Sequence, residues 1–64
     1  MESIVVMNGQ FYAGENANKL NFSTNRKQAV IVDERRLRYI TQSVLRWSMN
    51  REIELKRFEI FKVT

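Results

Sequence analysis

The stretch from Asp33 to Asn50 constrains this chain most, because it is the one segment whose apolar residues recur at helical spacing over several turns. At about 100° per residue, Leu37, Ile40, Val44 and Trp47 fall on one stripe, flanked by Thr41, Leu45 and Ser48. Arg35, Arg38, Gln42 and Arg46 gather on the opposite side. One face therefore suits a core and the other is basic. Asp33 is placed to accept from the free amides at the helix start, Glu34 complements the positive end of the dipole, and Asn50 is expected to end the helix.

The second constraint is Asn8-Gly9, set between the β-forming runs SIVVM and QFYAG. Both residues tolerate the positive φ of a type I′ turn, so the pair predicts a hairpin. Pairing outward sets Met7 against Gln10, Val6 against Phe11, Val5 against Tyr12 and Ile4 against Ala13. Ile4, Val6, Phe11 and Ala13 then share a face, which is expected to be the core, with Val5, Met7 and Tyr12 on the other. Loop-like composition from Gly14 to Asn18 leads to a short third strand in which Leu20 and Phe22 alternate with Asn21 and Ser23.

Thr24 is expected to cap a single helical turn over Asn25 to Gln28, and the β-branched run Ala29 to Val32 reads as a strand. In EIELKRFEIFKVT Ile53 alternates with Leu55, then Phe58 with Ile60, and also Phe61 with Val63, so the inward parity shifts once. A bulge near Lys56-Arg57, or a strand that begins only around Leu55, would account for it. The fold class expected is α+β: one domain spanning 1–64, with a small, mostly antiparallel sheet of about four to five strands, an N-terminal Asn-Gly hairpin, and one amphipathic helix packed on one face.

A chain of 64 residues supports only a thin core, and small domains commonly add disulfides, metal or self-association. The sequence contains no Cys and no His, which removes the usual zinc ligands and leaves self-association. The start MESIVV lacks the features of a leader and no apolar run approaches the length needed to span a bilayer, so a cytoplasmic protein without membrane contact is expected. The absence of His, Cys and a Gly-rich phosphate loop argues against an enzyme, and no catalytic residue, cofactor or metal is expected. Glu52, Glu54 and Glu59 read as solvated strand positions.

The net charge is +4, and it is uneven: residues 26–64 hold ten Lys/Arg against five acids, while residues 1–25 hold one Lys against two. The stripe Arg35, Arg38, Gln42 and Arg46 is either a solvated face that keeps the domain soluble or a contact face for a partner, nucleic acid included. Arg26 and Lys27 would add charge beside it. Trp47, on the apolar stripe, reads as a packing anchor. Because one helix covers one sheet face, the other face is expected to expose an apolar patch. Val5, Tyr12 and Phe61 are the expected contact residues of that patch, and a homodimer is the simplest way to bury it.

Asn8-Gly9-Gln10-Phe11-Tyr12 and Phe22-Ser23-Thr24, followed by Ala29 and Asp33, resemble the pattern of small proteins encoded by phages and prophages of Gram-positive bacteria. In those proteins a short aromatic hairpin precedes a segment with an alanine between β-formers and then a basic helix. The resemblance spans about half the chain. It implies a phage accessory protein, in the host cytoplasm, that modulates a host or defence protein, and it transfers no catalytic or binding residue. The function expected is thus a small non-enzymatic protein-interaction module; the alternative is a nucleic-acid-binding accessory protein that uses the basic helix face.

Overall fold

In the computed structural model, which describes residues 2–17 and 19–63, Asn8 and Gly9 take φ values of 52° and 81°. These are the two left-handed positions that a type I′ turn requires. The turn joins β1 (Ser3–Met7) to β2 (Gln10–Asn16), with Met7 opposite Gln10 and Val6 opposite Phe11. That much of the expected register holds. Beyond it the two strands part: the Tyr12 carbonyl accepts from Val30 N–H at 2.9 Å, and Ser3 exchanges two backbone hydrogen bonds with Val32. The run Ala29 to Val32 is therefore a wedge in the splayed hairpin, with one bridge at Val32, and not the strand expected from its composition.

β2 continues into β3 (Lys19–Ser23), and β4 (Phe58–Lys62) closes the sheet in the order β3-β2-β1-β4, with every pairing antiparallel. An α+β domain with a four-stranded sheet and one helix results, as the sequence predicts. The β2–β3 register shifts between Tyr12 and Glu15, where Gly14 sits at φ 104°, a conformation open to glycine alone among the common residues. A 3₁₀ turn over Arg26–Gln28 follows β3, and its cap is Asn25, one residue later than Thr24: the Asn25 side chain accepts from Lys27 N–H at 3.0 Å.

α1 (Glu34–Met49) runs for 16 residues. Asp33 caps it by accepting from Arg36 N–H at 2.8 Å, and Glu34 occupies the first turn. At the other end Glu52 N–H donates to the Trp47 carbonyl and Arg51 N–H to the Ser48 carbonyl, which is a Schellman closure. Arg51 holds the left-handed position at φ 59° where glycine is the usual occupant.

The helix packs its stripe on the face bearing Val5, Met7 and Tyr12. Those three join Val32, Ile40 and Val44 as the buried cluster, with Leu20, Phe22, Leu37, Trp47, Ile53, Leu55 and Phe58 packed around it. Tyr12 meets Phe22 edge to face at 5.8 Å between ring centres. The expected core face, Ile4, Val6, Phe11 and Ala13, is the other side of the sheet. The parity change near the C-terminus resolves as a loop: Ile53 and Leu55 reach the core from irregular backbone, and the strand starts only at Phe58.

That loop is held by one side chain. Asn8 Oδ1 accepts from Lys56 N–H at 2.7 Å and Arg57 N–H at 3.0 Å, its Nδ2 donates to the Glu54 carbonyl at 2.8 Å, and its backbone N–H donates to the Arg57 carbonyl. The hairpin turn thereby docks the return segment and fixes where β4 begins.

Candidate functional site

The sheet face turned away from α1 carries Ile4 and Val6 from β1, Phe11 from β2, and Phe61 and Val63 at the β4 end. Cross-strand register builds it: Ile4 lies opposite Phe61, and Val6 lies between Phe11 and Glu59. These side chains line a hollow of about 480 Å³ with Arg26, Glu59 and Lys62. Val6 is buried at its centre, whereas Phe61 is 51% exposed and Val63 45%. Such a face, apolar at the middle and charged at the margin, is the composition of a contact surface. Glu59 is already engaged by Arg57 at 3.1 Å, so Arg26 and Lys62 set the sign of the margin, which is positive.

The expected contact trio is divided by this geometry. Val5 is 0% exposed and Tyr12 2%, both beneath the helix, so neither forms part of a surface; Phe61 alone of the three is on the bare face. The physical reason is that Ile4-Val5-Val6-Met7 is apolar at every position, so alternation fits either face equally well. A bare apolar face exists, but it consists of Ile4, Val6, Phe11, Phe61 and Val63.

Arg35, Arg38, Gln42 and Arg46 are all exposed on the solvent side of α1, as helical spacing requires. Arg38 and Gln42 also border a groove between the helix and β4, lined by Leu37, Thr41, Ile60 and Lys62. Tyr39 and Met49 are exposed near the same side. Trp47 packs against the core.

Arg36 behaves differently from its neighbours. It forms an ion pair with Glu15 at 3.1 Å and lies over the Tyr39 ring, 5.2 Å from its centre. Hydrogen bonding to the Tyr12 phenol, and then to Glu15, holds the guanidinium above its ordinary pKa. The ion pair with Glu15 ties β2 to the first turns of α1. Sequence reasoning passes over Arg36, yet the signal is present: it precedes Ile40 and Val44 at four-residue steps and so belongs to the inward stripe. Asn8 is missed as a clamp because its partners lie 46 to 49 residues away.

Among the described residues no group of three or more His, Cys, Asp or Glu is placed to hold a metal ion, and no helix is long and apolar enough to cross a membrane. Fold and surface together define a small α+β domain that buries one side of an antiparallel sheet under a single helix and leaves the other side bare. No family model matches the chain, and neither a curated protein nor a solved structure matches it.

Proposed function

We propose that this chain is a non-enzymatic interaction protein, a phage or prophage accessory protein that works in the host cytoplasm by covering the surface of a host or defence protein. The observation that carries the reading is the bare apolar face of the sheet, with Val6 at its centre and Phe11, Phe61, Ile4 and Val63 around it. A face of this kind favours a protein partner over a polar ligand, because its stabilisation comes from apolar area removed from water. The cationic margin formed by Arg26 and Lys62 favours a partner whose own apolar patch is bordered by Asp or Glu. The likeness of the hairpin and the following segment to phage-encoded proteins supports the biological setting.

The test is affinity capture from host lysate with the native chain, with Phe11→Glu/Phe61→Glu, and with Arg35→Gln/Arg38→Gln/Arg46→Gln. The expected result is one protein retained by the native chain and by the helix-face variant, lost with the sheet-face variant, and bound again by the native chain when purified. Capture that survives the sheet-face substitutions would contradict the reading.

The second reading, a nucleic-acid-binding accessory protein, is favoured by the exposure of Arg35, Arg38, Gln42 and Arg46 along one side of α1. Phosphate contacts would dominate, so its affinity should fall steeply with salt, with a log–log slope of about −3 to −5 for four to six contacts on duplex DNA. A gel shift with duplex DNA, single-stranded DNA and RNA separates the two. The helix-face triple substitution should abolish any shift without unfolding the chain.

A further inference from the structure

The two edges of the sheet are not alike. β3 is polar on its exposed side, with Lys19 and Asn21, and it pairs with a β2 whose register is broken by a bulge. Features of this kind keep an edge from recruiting another strand. β4 has a continuous register of five residues with β1 and no bulge, and it is apolar on both faces, with Ile60 43% and Phe61 51% exposed. Among the described residues no strand pairs with its outer side, and the sequence has no proline to block one.

The hydrogen bonds fix which β4 groups point outward. Arg57 accepts from Asn8 N–H and Val63 donates to the Glu2 carbonyl, so residues 57, 59, 61 and 63 direct their backbone groups to β1. By alternation, Phe58, Ile60 and Lys62 direct both N–H and C=O to the open edge.

We propose that β4 pairs antiparallel with β4 of a second copy of this chain, about a two-fold axis at Ile60, to make a continuous eight-stranded sheet. Only an even register keeps the same sheet face up in both copies. The register centred on Ile60 also lets all three outward residues bond: Ile60 with the partner's Ile60, Phe58 with the partner's Lys62, and Lys62 with the partner's Phe58. On the helix side, the two Ile60 side chains meet where the groove beside Leu37 and Thr41 leaves each half exposed. Lys62 lays its methylene stem along the facing Phe58 ring and keeps its ammonium in water, so this edge lysine does not oppose pairing. On the other side the two Phe61 rings are diagonal neighbours, within reach of aromatic contact. Glu59 is matched by Arg57, just before the strand in the same copy, which limits repulsion between the acids of the two copies.

This assembly uses the edge and leaves the bare face free, so it does not rest on the partner reading above. It also extends that face, because the two-fold places both copies' bare sides on one surface. With +4 on each copy, association should strengthen as salt is added, the reverse of phosphate binding.

Sedimentation equilibrium of the full chain over a concentration series into the millimolar range, joined to amide exchange by NMR, tests the proposal. The expected result is a mass rising from 7.7 kDa towards twice that value, with the amides of Phe58, Ile60 and Lys62 slowing as concentration rises while those of Glu59 and Phe61 are slow throughout. Ile60→Pro removes an outward N–H that pairs with no strand among the described residues of one copy, and should give a folded monomer; Ile60→Lys is the parallel variant if the proline disturbs the strand. Phe11→Glu should dimerise like the native chain while losing any sheet-face partner, which separates failure of this proposal from failure of the previous one. A native chain that stays monomeric across the series, a dimer whose Phe58, Ile60 and Lys62 amides exchange as fast as in the monomer, or a dimer that survives both Ile60 variants would overturn it.

Discussion

The two faces of the sheet are built from interleaved residues of the same strands, and they have different fates. Val5, Met7 and Tyr12 lie under α1 in a cluster completed by Val32, Ile40 and Val44. Ile4, Val6 and Phe11, each one position away, look out on the face that α1 does not cover, together with Phe61 and Val63. Hydrophobicity does not distinguish the faces. What does is where α1 lands: Ile40 and Val44, with Leu37 and Trp47 beside them, pack over Val5, Met7 and Tyr12. An apolar side chain in a strand is thus evidence of burial against something, and not of burial in the chain's own core.

The largest effect should come from opening the covered face. Ile40→Ala removes a fully buried side chain from the centre of the helix stripe, and should lower the unfolding free energy by about 2–5 kcal/mol, enough to unfold much of a domain this small. Urea melts followed by far-UV circular dichroism measure it.

Next is the clamp that lets β4 reach the sheet at all. Asn8→Ala removes three side-chain hydrogen bonds to the segment 54–57 and leaves alanine at positive φ, for an expected loss of about 1–3 kcal/mol. Asn8→Gly restores the backbone freedom without the bonds and should recover only part of that loss. In both variants amide exchange should rise first at Lys56 and Arg57.

A smaller change of opposite sign is expected at the helix end. Arg51→Gly relieves the left-handed strain at the Schellman position and should stabilise the chain by about 0.5–1 kcal/mol in the same melts. Smallest is Glu15→Gln, which breaks a solvent-screened ion pair with Arg36 and should lower the urea midpoint least of all, with the shift shrinking in high salt.

Much of the architecture is legible in the sequence. The helix, its Asp33 cap, the Asn8-Gly9 turn and the third strand all follow from local spacing and local hydrogen-bonding capacity. The errors have a common origin in interactions between distant segments. The hairpin pairing beyond Val6 and Phe11 gives way because Val30 and Val32 compete for the same backbone groups. The choice of core face depended on where α1 would land, and β1 offers the same hydrophobicity to both sides. The basic stripe was readable because a helix face is set by spacing alone; the bare sheet face was expected, but with Val5 and Tyr12 assigned to the wrong side.

The central claim is that one sheet face folds the chain and the other is left for a partner, and a matched pair of charge substitutions tests it most directly. Tyr12→Glu and Phe61→Glu each put a carboxylate in place of an aromatic ring, on opposite faces of the sheet, and their urea midpoints can be compared in one experiment. Tyr12→Glu should be unfolded without denaturant, because the charge would be buried beneath α1. Phe61→Glu should keep the native fold, with stability within about 1 kcal/mol of the unmodified chain. A folded Tyr12→Glu beside an unfolded Phe61→Glu would show that the two faces had been exchanged.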